Sequence, residues 1–208
     1  MAKRSVVRDG VTTLVTETRQ RVGLIARATA LLWAVELVDL FVMGGRLDAF
    51  GVAPRSMNGL LGILTAPLLH GGLAHLIANT IPFAVLGFLT TARKKMDFWV
   101  VAAASTLIGG LGTWLVAPAG TVHIGASGVV FGFLGFLMGR GFFERRAGAI
   151  ALSMLVTFLF GGMLWGVLPV VAGAGISWQM HLFGFAGGLF TARLLGDRLR
   201  EQRGRRKR

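Results

Sequence analysis

Ser127 stands in the tetrapeptide Gly125-Ala126-Ser127-Gly128, at the mouth of an apolar stretch long enough to cross a bilayer. A serine hydroxyl is a weak nucleophile until a neighbouring base takes its proton, and histidine is the usual base. His181 offers that chemistry from the matching end of another apolar stretch. His75 and Asn79, four residues apart, project from one face of a helix. Together with the Ser127 backbone N–H at a helix N-terminus they make a donor set for a developing oxyanion. Asn79 cannot titrate, which suits a fixed donor better than a base. His70, five residues before His75, is a further helper in the same cluster.

Each reading has a structural competitor. With 31 glycines and six serines, chance readily supplies a Gly-x-Ser-Gly string. It is not the Gly-x-Ser-x-Gly nucleophile elbow, because position 129 is Val. Gly128, Gly132, Gly135 and Gly139 recur at steps of three and four, a face that lets helices approach closely. His181, Gly184 and Gly188 share one stripe of a second helix. The two readings are compatible, since close approach of these faces could bring an imidazole to the serine. The histidines and Asn79 could equally serve as hydrogen bonds between helices. His70, His75, His123 and His181 would also suffice for a zinc site. However, no His-Glu-x-x-His pair exists and no carboxylate sits beside these histidines, so no metal or other cofactor is expected. His123 reads as a loop or interface residue. Of the nine acidic residues only Glu36, Asp39 and Asp48 could lie within or outside the membrane core, which favours a Ser127–His181 dyad over a triad.

These residues need elements to position them, and composition says what kind. The chain has 208 residues, 54% of them hydrophobic and only 15% charged, with mean hydropathy +0.68. Soluble domains carry about 25% charged residues. Apolar runs near twenty residues recur along the whole length, predicting an all-α multi-pass membrane protein with no room for a separate soluble domain. Six spans are predicted near 23–43, 74–92, 98–117, 127–143, 149–172 and 178–196. The 44–73 connection, rich in Gly and Pro among apolar residues, is expected to pack along or into the outer membrane face. The first span lacks a small-residue cleavage site and reads as retained. There is no cysteine, hence no disulfide framework and no thiolate chemistry.

The net charge of +13 could suggest nucleic acid, but its distribution argues for topology and lipid instead. Twenty of the 22 Lys and Arg residues fall in the N-terminal segment to Arg27, the 93–95 and 140–146 loops, and the segment from Arg193 onward. Only Arg46 and Arg55 fall on the other side. The positive-inside rule then puts both termini in the cytoplasm and the 44–73, 118–126 and 173–177 loops outside. Spans two, four and six all begin at that outer interface, so His75, Asn79, Ser127 and His181 reach similar depth on one side. The expected organisation is a basic cytoplasmic segment at 1–22, a six-helix core at 23–196 and a basic cytoplasmic tail at 197–208.

In order and spacing, His70-Gly-Gly-Leu-Ala-His75-Leu-Ile-Ala-Asn79, Gly125-Ala-Ser127-Gly128 and His181-Leu-Phe-Gly184 resemble the motifs of the rhomboid intramembrane serine proteases. The resemblance covers roughly residues 23–196. It implies Ser127 as nucleophile and His181 as general base, with His75, Asn79 and the Ser127 amide as the oxyanion hole. His70, Gly125, Gly128, Phe131, Gly184 and Gly188 would support them. It further implies cleavage of transmembrane protein substrates in or near their membrane segment, from the extracytoplasmic side of the cell membrane. The chain departs from many bacterial members. Leu60-Leu61-Gly62 stands where a Trp-Arg pair is frequent, Phe131 where some have Tyr, and Met180 where Ala is frequent. Phe131 could still stack on the His181 ring. The alternatives are a non-proteolytic protein of the same fold that holds membrane clients, and a small transporter. A transporter would need polar residues on both membrane halves, whereas the motif residues cluster on the outer one.

Overall fold

The computed structural model describes residues 2–171 and 175–206. Met1, part of the 173–177 loop and the last two residues of the 197–208 tail lie outside the described residues. The chain is all-helical: α1 (Ala2–Val38), α2 (Met57–Thr65), α3 (Leu73–Thr90), α4 (Lys95–Val116), α5 (Ser127–Glu144), α6 (Ala147–Phe160) and α7 (Trp178–Arg206). A π-helical turn, Asp39–Met43, extends α1, and a 3-10 segment, Gly161–Val167, extends α6. Among the described residues three stretches are long and apolar enough to cross a membrane: Leu73–Thr90, Lys95–Val116 and Ala147–Val167, with mean hydropathies of 1.6, 1.6 and 2.0.

Each of the six apolar segments read from the sequence is helical, but three boundaries move, one of them at α7, which is expected to end near 196 and runs on to Arg206. The helix expected from residue 23 begins at Ala2, because no proline interrupts the polar residues before it. The segment expected to be helical to 172 leaves α geometry after Phe160. Gly161 and Gly162 weaken the helix there, and Pro169 cannot continue it.

α5 is the central element, packed against α3, α4, α6 and α7, with fourteen of its eighteen residues buried. Its glycines follow from that position. A Cβ on Gly184 of α7 would strike the carbonyl oxygen of Gly128, and one on Gly188 would strike that of Gly132. A Cβ on Gly132 would in turn strike Ser105 of α4, and one on Gly109 would lie 3.4 Å from the Gly184 nitrogen. Helices α5 and α7 thus meet backbone to backbone, closer than a side chain permits, and α4 packs into the same contact through Ser105 and Gly109. Around this contact Phe83, Phe98, Phe133, Leu134 and Phe136 fill the core.

The 44–72 connection packs against the end of α4. The Trp114 indole donates to the Ser56 carbonyl at 2.8 Å, and Arg55 donates to the Leu115 carbonyl at 3.1 Å. Gly59 and Gly62 abut the backbone of residues 51–53, which leaves no room for side chains there. Met57, Leu61 and Leu64 of α2 face outward, an apolar surface of the kind expected of a segment lying along a membrane. At the opposite end of the bundle, Arg93 pairs with Asp97 through two bonds of 2.6 and 2.8 Å, and buried Arg140 pairs with Glu144 at 2.5 Å. With Arg21 paired to Glu17, and Arg193 and Arg200 to Asp197, five of the basic residues used to orient the chain have a carboxylate beside them.

If backbone contact sets the bundle, Gly184→Ala overpacks it and destabilises the protein by about 1–3 kcal/mol. Gly148→Ala, where nothing beyond its chain neighbours and its own helix backbone lies within 4 Å of the new methyl, is neutral or stabilising by up to about 1 kcal/mol. Thermal unfolding in detergent ranks the two. The opposite ranking would refute the packing assignment.

Candidate active site

A cavity of about 630 Å³ opens between the N-terminal ends of α3, α5 and α7, and Gly71, His75, Asn79, Ser127, Phe131 and His181 are among its lining residues. The site is built from three helix beginnings, where backbone N–H groups have no partner within the helix.

Ser127 is the first residue of α5. The turn that delivers it depends on Gly125, whose φ of 120° is a conformation that side-chain-bearing residues rarely adopt. A Cβ at Gly125 would also come within 2.8 Å of the His75 Cε1 and Nε2 atoms, and within 3.6 Å of the Ser127 Oγ. Gly125 is therefore the space across which His75 and Ser127 face one another. The Gly125 N–H donates to the Ala66 carbonyl at 2.9 Å, and the Ala126 N–H donates to His70 Nε2 at 3.3 Å.

The second of these bonds changes the part given to His70. It is buried, it accepts from the turn before Ser127, and it is absent from the cavity lining. Burial, reinforced by repulsion from His75, pushes its pKa down to about 4, which keeps it the neutral acceptor that this bond requires. His75 lies edge-on to it, with ring centroids 5.2 Å apart. The Gly71 N–H donates to His75 Nδ1 at 3.4 Å, so a neutral His75 carries its proton on Nε2, the atom beside Gly125. Asn79 donates to the His75 carbonyl at 3.0 Å, which occupies one of its two amide protons.

His181 lies in the first turn of α7, stacked on Phe131 with ring centroids 4.1 Å apart and planes 10° from parallel. Its Nδ1 lies 2.9 Å from the Gly166 carbonyl oxygen. A carbonyl can only accept, so Nδ1 carries the proton and the neutral ring presents Nε2 as an acceptor. The sequence reading found no carboxylate to orient this histidine, and the structure supplies a backbone oxygen instead. Gly166 had no sequence signature, because every residue has a carbonyl. Its lack of a side chain matters, since a Cβ there would lie 3.1 Å from Phe131 and 3.3 Å from His181 Nδ1. Met180 fits because Gly128 leaves room for its side chain and Thr113 donates to its sulfur at 3.8 Å.

The arrangement joins a hydroxyl, an imidazole with one oriented free nitrogen, and several N–H donors in one cavity. That set suits acyl transfer.

Comparison with known proteins places the geometry in context. A family model described as the Rhomboid domain matches residues 58–198. The chain is 45% identical over 180 residues to uncharacterized protein Rv1337 of Mycobacterium tuberculosis, an alignment covering 84% of this chain and 75% of that one. It is 33% identical over 132 residues to the putative rhomboid protease YdcA of Bacillus subtilis, covering 62% and 64% of the two chains. It is 30% identical over 162 residues to the rhomboid protease GluP of the same organism, covering 72% of this chain and 29% of that one.

The His70 bond makes a prediction about stability. Between pH 6.5, its ordinary value, and about 4, the unfolded chain binds a proton at His70 that the folded chain does not. That contribution to stability is complete above about pH 6.5 and is lost as pH falls toward about 4. Asp48, raised to about 6 by burial and by the neighbouring Asp39 and Glu36, acts oppositely and masks part of the slope. His70→Gln keeps an acceptor without the titration, so its melting temperature should fall less than wild type between pH 7 and pH 4.5. An equal fall in both proteins would contradict the assignment.

Proposed function

The chain belongs to the rhomboid family of membrane proteins, and from that premise we propose that it is an intramembrane serine endopeptidase with Ser127 as nucleophile and His181 as general base. The observation that carries the reading is the bond from His181 Nδ1 to the Gly166 carbonyl, made while His181 and Ser127 line the same cavity. It leaves Nε2 as the proton acceptor that serine activation requires.

In this mechanism Ser127 Oγ attacks a substrate carbonyl as its proton passes to His181 Nε2. Negative charge develops on the carbonyl oxygen and is held by the Ser127 N–H, the His75 Nε2–H and the free Asn79 N–H. His181 then gives its proton to the leaving amine, and water, activated by the same imidazole, hydrolyses the acyl-enzyme. The stacked Phe131 keeps the ring in plane throughout. A substrate helix hides its carbonyls in its own hydrogen bonds, so segments with Gly or Pro near the cut are preferred.

The proposed topology has six spans within residues 23–196, with the basic segments at 1–22 and 197–208 cytoplasmic and the cavity facing the extracytoplasmic side. Its support is the placement of twenty of 22 basic residues, together with a cavity formed by the starts of α3, α5 and α7. α1, α5 and α7 complete the count beside the three most apolar stretches. α5 is enclosed by other helices and needs less hydropathy than a lipid-facing span.

Ser127→Ala and His181→Ala should each reduce cleavage of a transmembrane substrate in liposomes by about a thousandfold or more, with the double variant no worse than either. A fluorophosphonate should label wild-type Ser127 and fail on both variants. Cleavage retained by either single variant would end this reading.

A further inference from the structure

We infer that His123 is a positioning residue, which ties the segment carrying Ser127 to the turn that starts the helix carrying His181. This inference rests on the proposed roles of Ser127 and His181. His123 lies four residues before Ser127, and Ser177 four residues before His181. The His123 Nδ1 and Ser177 Oγ are 2.7 Å apart, and the His123 Nε2 and Thr121 Oγ1 are 2.8 Å apart.

The direction of every proton in this chain follows from its ends. Thr121 spends its single hydroxyl proton on the Pro118 carbonyl at 2.7 Å. It can therefore only accept from His123, whose Nε2 must carry the proton. A neutral His123 then has a bare Nδ1, which accepts the Ser177 hydroxyl proton. Burial lowers the His123 pKa and favours that neutral ring. The Ser177 oxygen, with its proton committed, caps α7 by accepting from the Met180 N–H at 3.3 Å. The Ser177 carbonyl accepts from the His181 N–H at 3.2 Å. Every group in the series has one role, and the series ends on the backbone of His181.

His123 is itself anchored. Its N–H donates to the Val52 carbonyl at 3.0 Å and its carbonyl accepts from the Val52 N–H at 2.9 Å. The Gly128–Gly184 contact sets the spacing of α5 and α7 within the bundle, and the His123–Ser177 bond sets it at their outer ends. The glycine contacts, Gly128 with Gly184 and Gly132 with Gly188, hold the helices themselves, whereas the His123–Ser177 bond holds the segments that lead into them. A displacement of about 1 Å between nucleophile and base costs on the order of a hundredfold in rate. His123 and Ser177 both line the cavity, yet in this role neither touches the reacting atoms.

The test reads kcat per active site, with the sites counted by fluorophosphonate titration of Ser127. A purely structural role would lower the number of titratable sites and leave kcat per site unchanged, and that result would overturn the inference. The expected result for His123→Ala is a kcat per site lower by about tenfold or more, with KM nearly unchanged. Ser177→Ala should show a similar loss, and the double variant should lose no more than the worse single one, because both break one link. Multiplying losses would overturn the coupling. His123→Asn, which restores an acceptor near the Nδ1 position, should recover most of the rate, and His123→Gln should not. Equal rates for these two would count against the link even if His123→Ala fails to fold. Ser127→Ala and His181→Ala are run alongside. Residual cleavage by them removes the function reading itself, whereas their inactivity beside an unimpaired His123→Ala removes only the positioning role.

Discussion

The contact of α5 and α7 through Gly128, Gly132, Gly184 and Gly188 is the constraint on which the site depends. Inside a membrane, apolar side chains gain little by leaving lipid for protein, so helices associate through close packing and backbone complementarity. Glycine is the residue that permits it, at the cost of intrinsic helix stability. Here the contact begins one residue after Ser127 and three residues after His181. The same surface that holds the bundle together therefore brings the starts of the two helices into register. Phe131 uses the closeness, lying flat on the His181 ring at 4.1 Å.

A second regularity concerns the four histidines. Each has a ring nitrogen committed to a fixed partner: His70 to the Ala126 N–H, His75 to the Gly71 N–H, His181 to the Gly166 carbonyl, and His123 to Thr121 and Ser177. Fixing one nitrogen of a neutral imidazole specifies whether the other donates or accepts. Three of these partners are backbone atoms. A carboxylate in the same place would orient the ring equally well but would bring a charge into a poorly solvated region, which is expensive. Backbone dipoles orient without that penalty. The acidic residues that do sit nearby, Glu36, Asp39 and Asp48, are held in and after α1, and none of them lines the cavity.

How far the sequence revealed this depends on what kind of group is involved. Apolar runs locate α3, α4 and α5 to within a few residues, because burial and length are side-chain properties. The glycine stripes are legible for the same reason, since a missing side chain has a periodicity like any other. The ends of α1 and α6 are less so. α1 continues through polar residues that nothing interrupts, and α6 gives way at Gly161-Gly162, whose effect depends on the surrounding packing. Gly166 and the Thr121–His123–Ser177 series were beyond reach. A carbonyl has no sequence signature, and hydrogen bonds between loops depend on chain path. His70 shows a subtler limit. Its proximity to the site could be read from spacing, whereas its direction of hydrogen bonding could not, because imidazole donates and accepts with equal ease.

The irregular segments raise the problem of unpaired backbone. Residues 44–72 and 118–126 lie beside the cavity and outside the long helices, where every N–H and C=O not claimed by a helix needs another partner. Several of the partners are found between these segments and at the end of α4. Val52 and His123 exchange two backbone bonds, Gly125 donates to Ala66, and Trp114 and Arg55 reach Ser56 and Leu115 from either side. The loops therefore satisfy one another and form a structured rim instead of a set of independent connections. A rim of this kind can stand around a wet cavity without exposing bare polar groups to lipid. Such pairing is the form in which irregular backbone is tolerated at membrane depth, where a bare polar group facing lipid is costly.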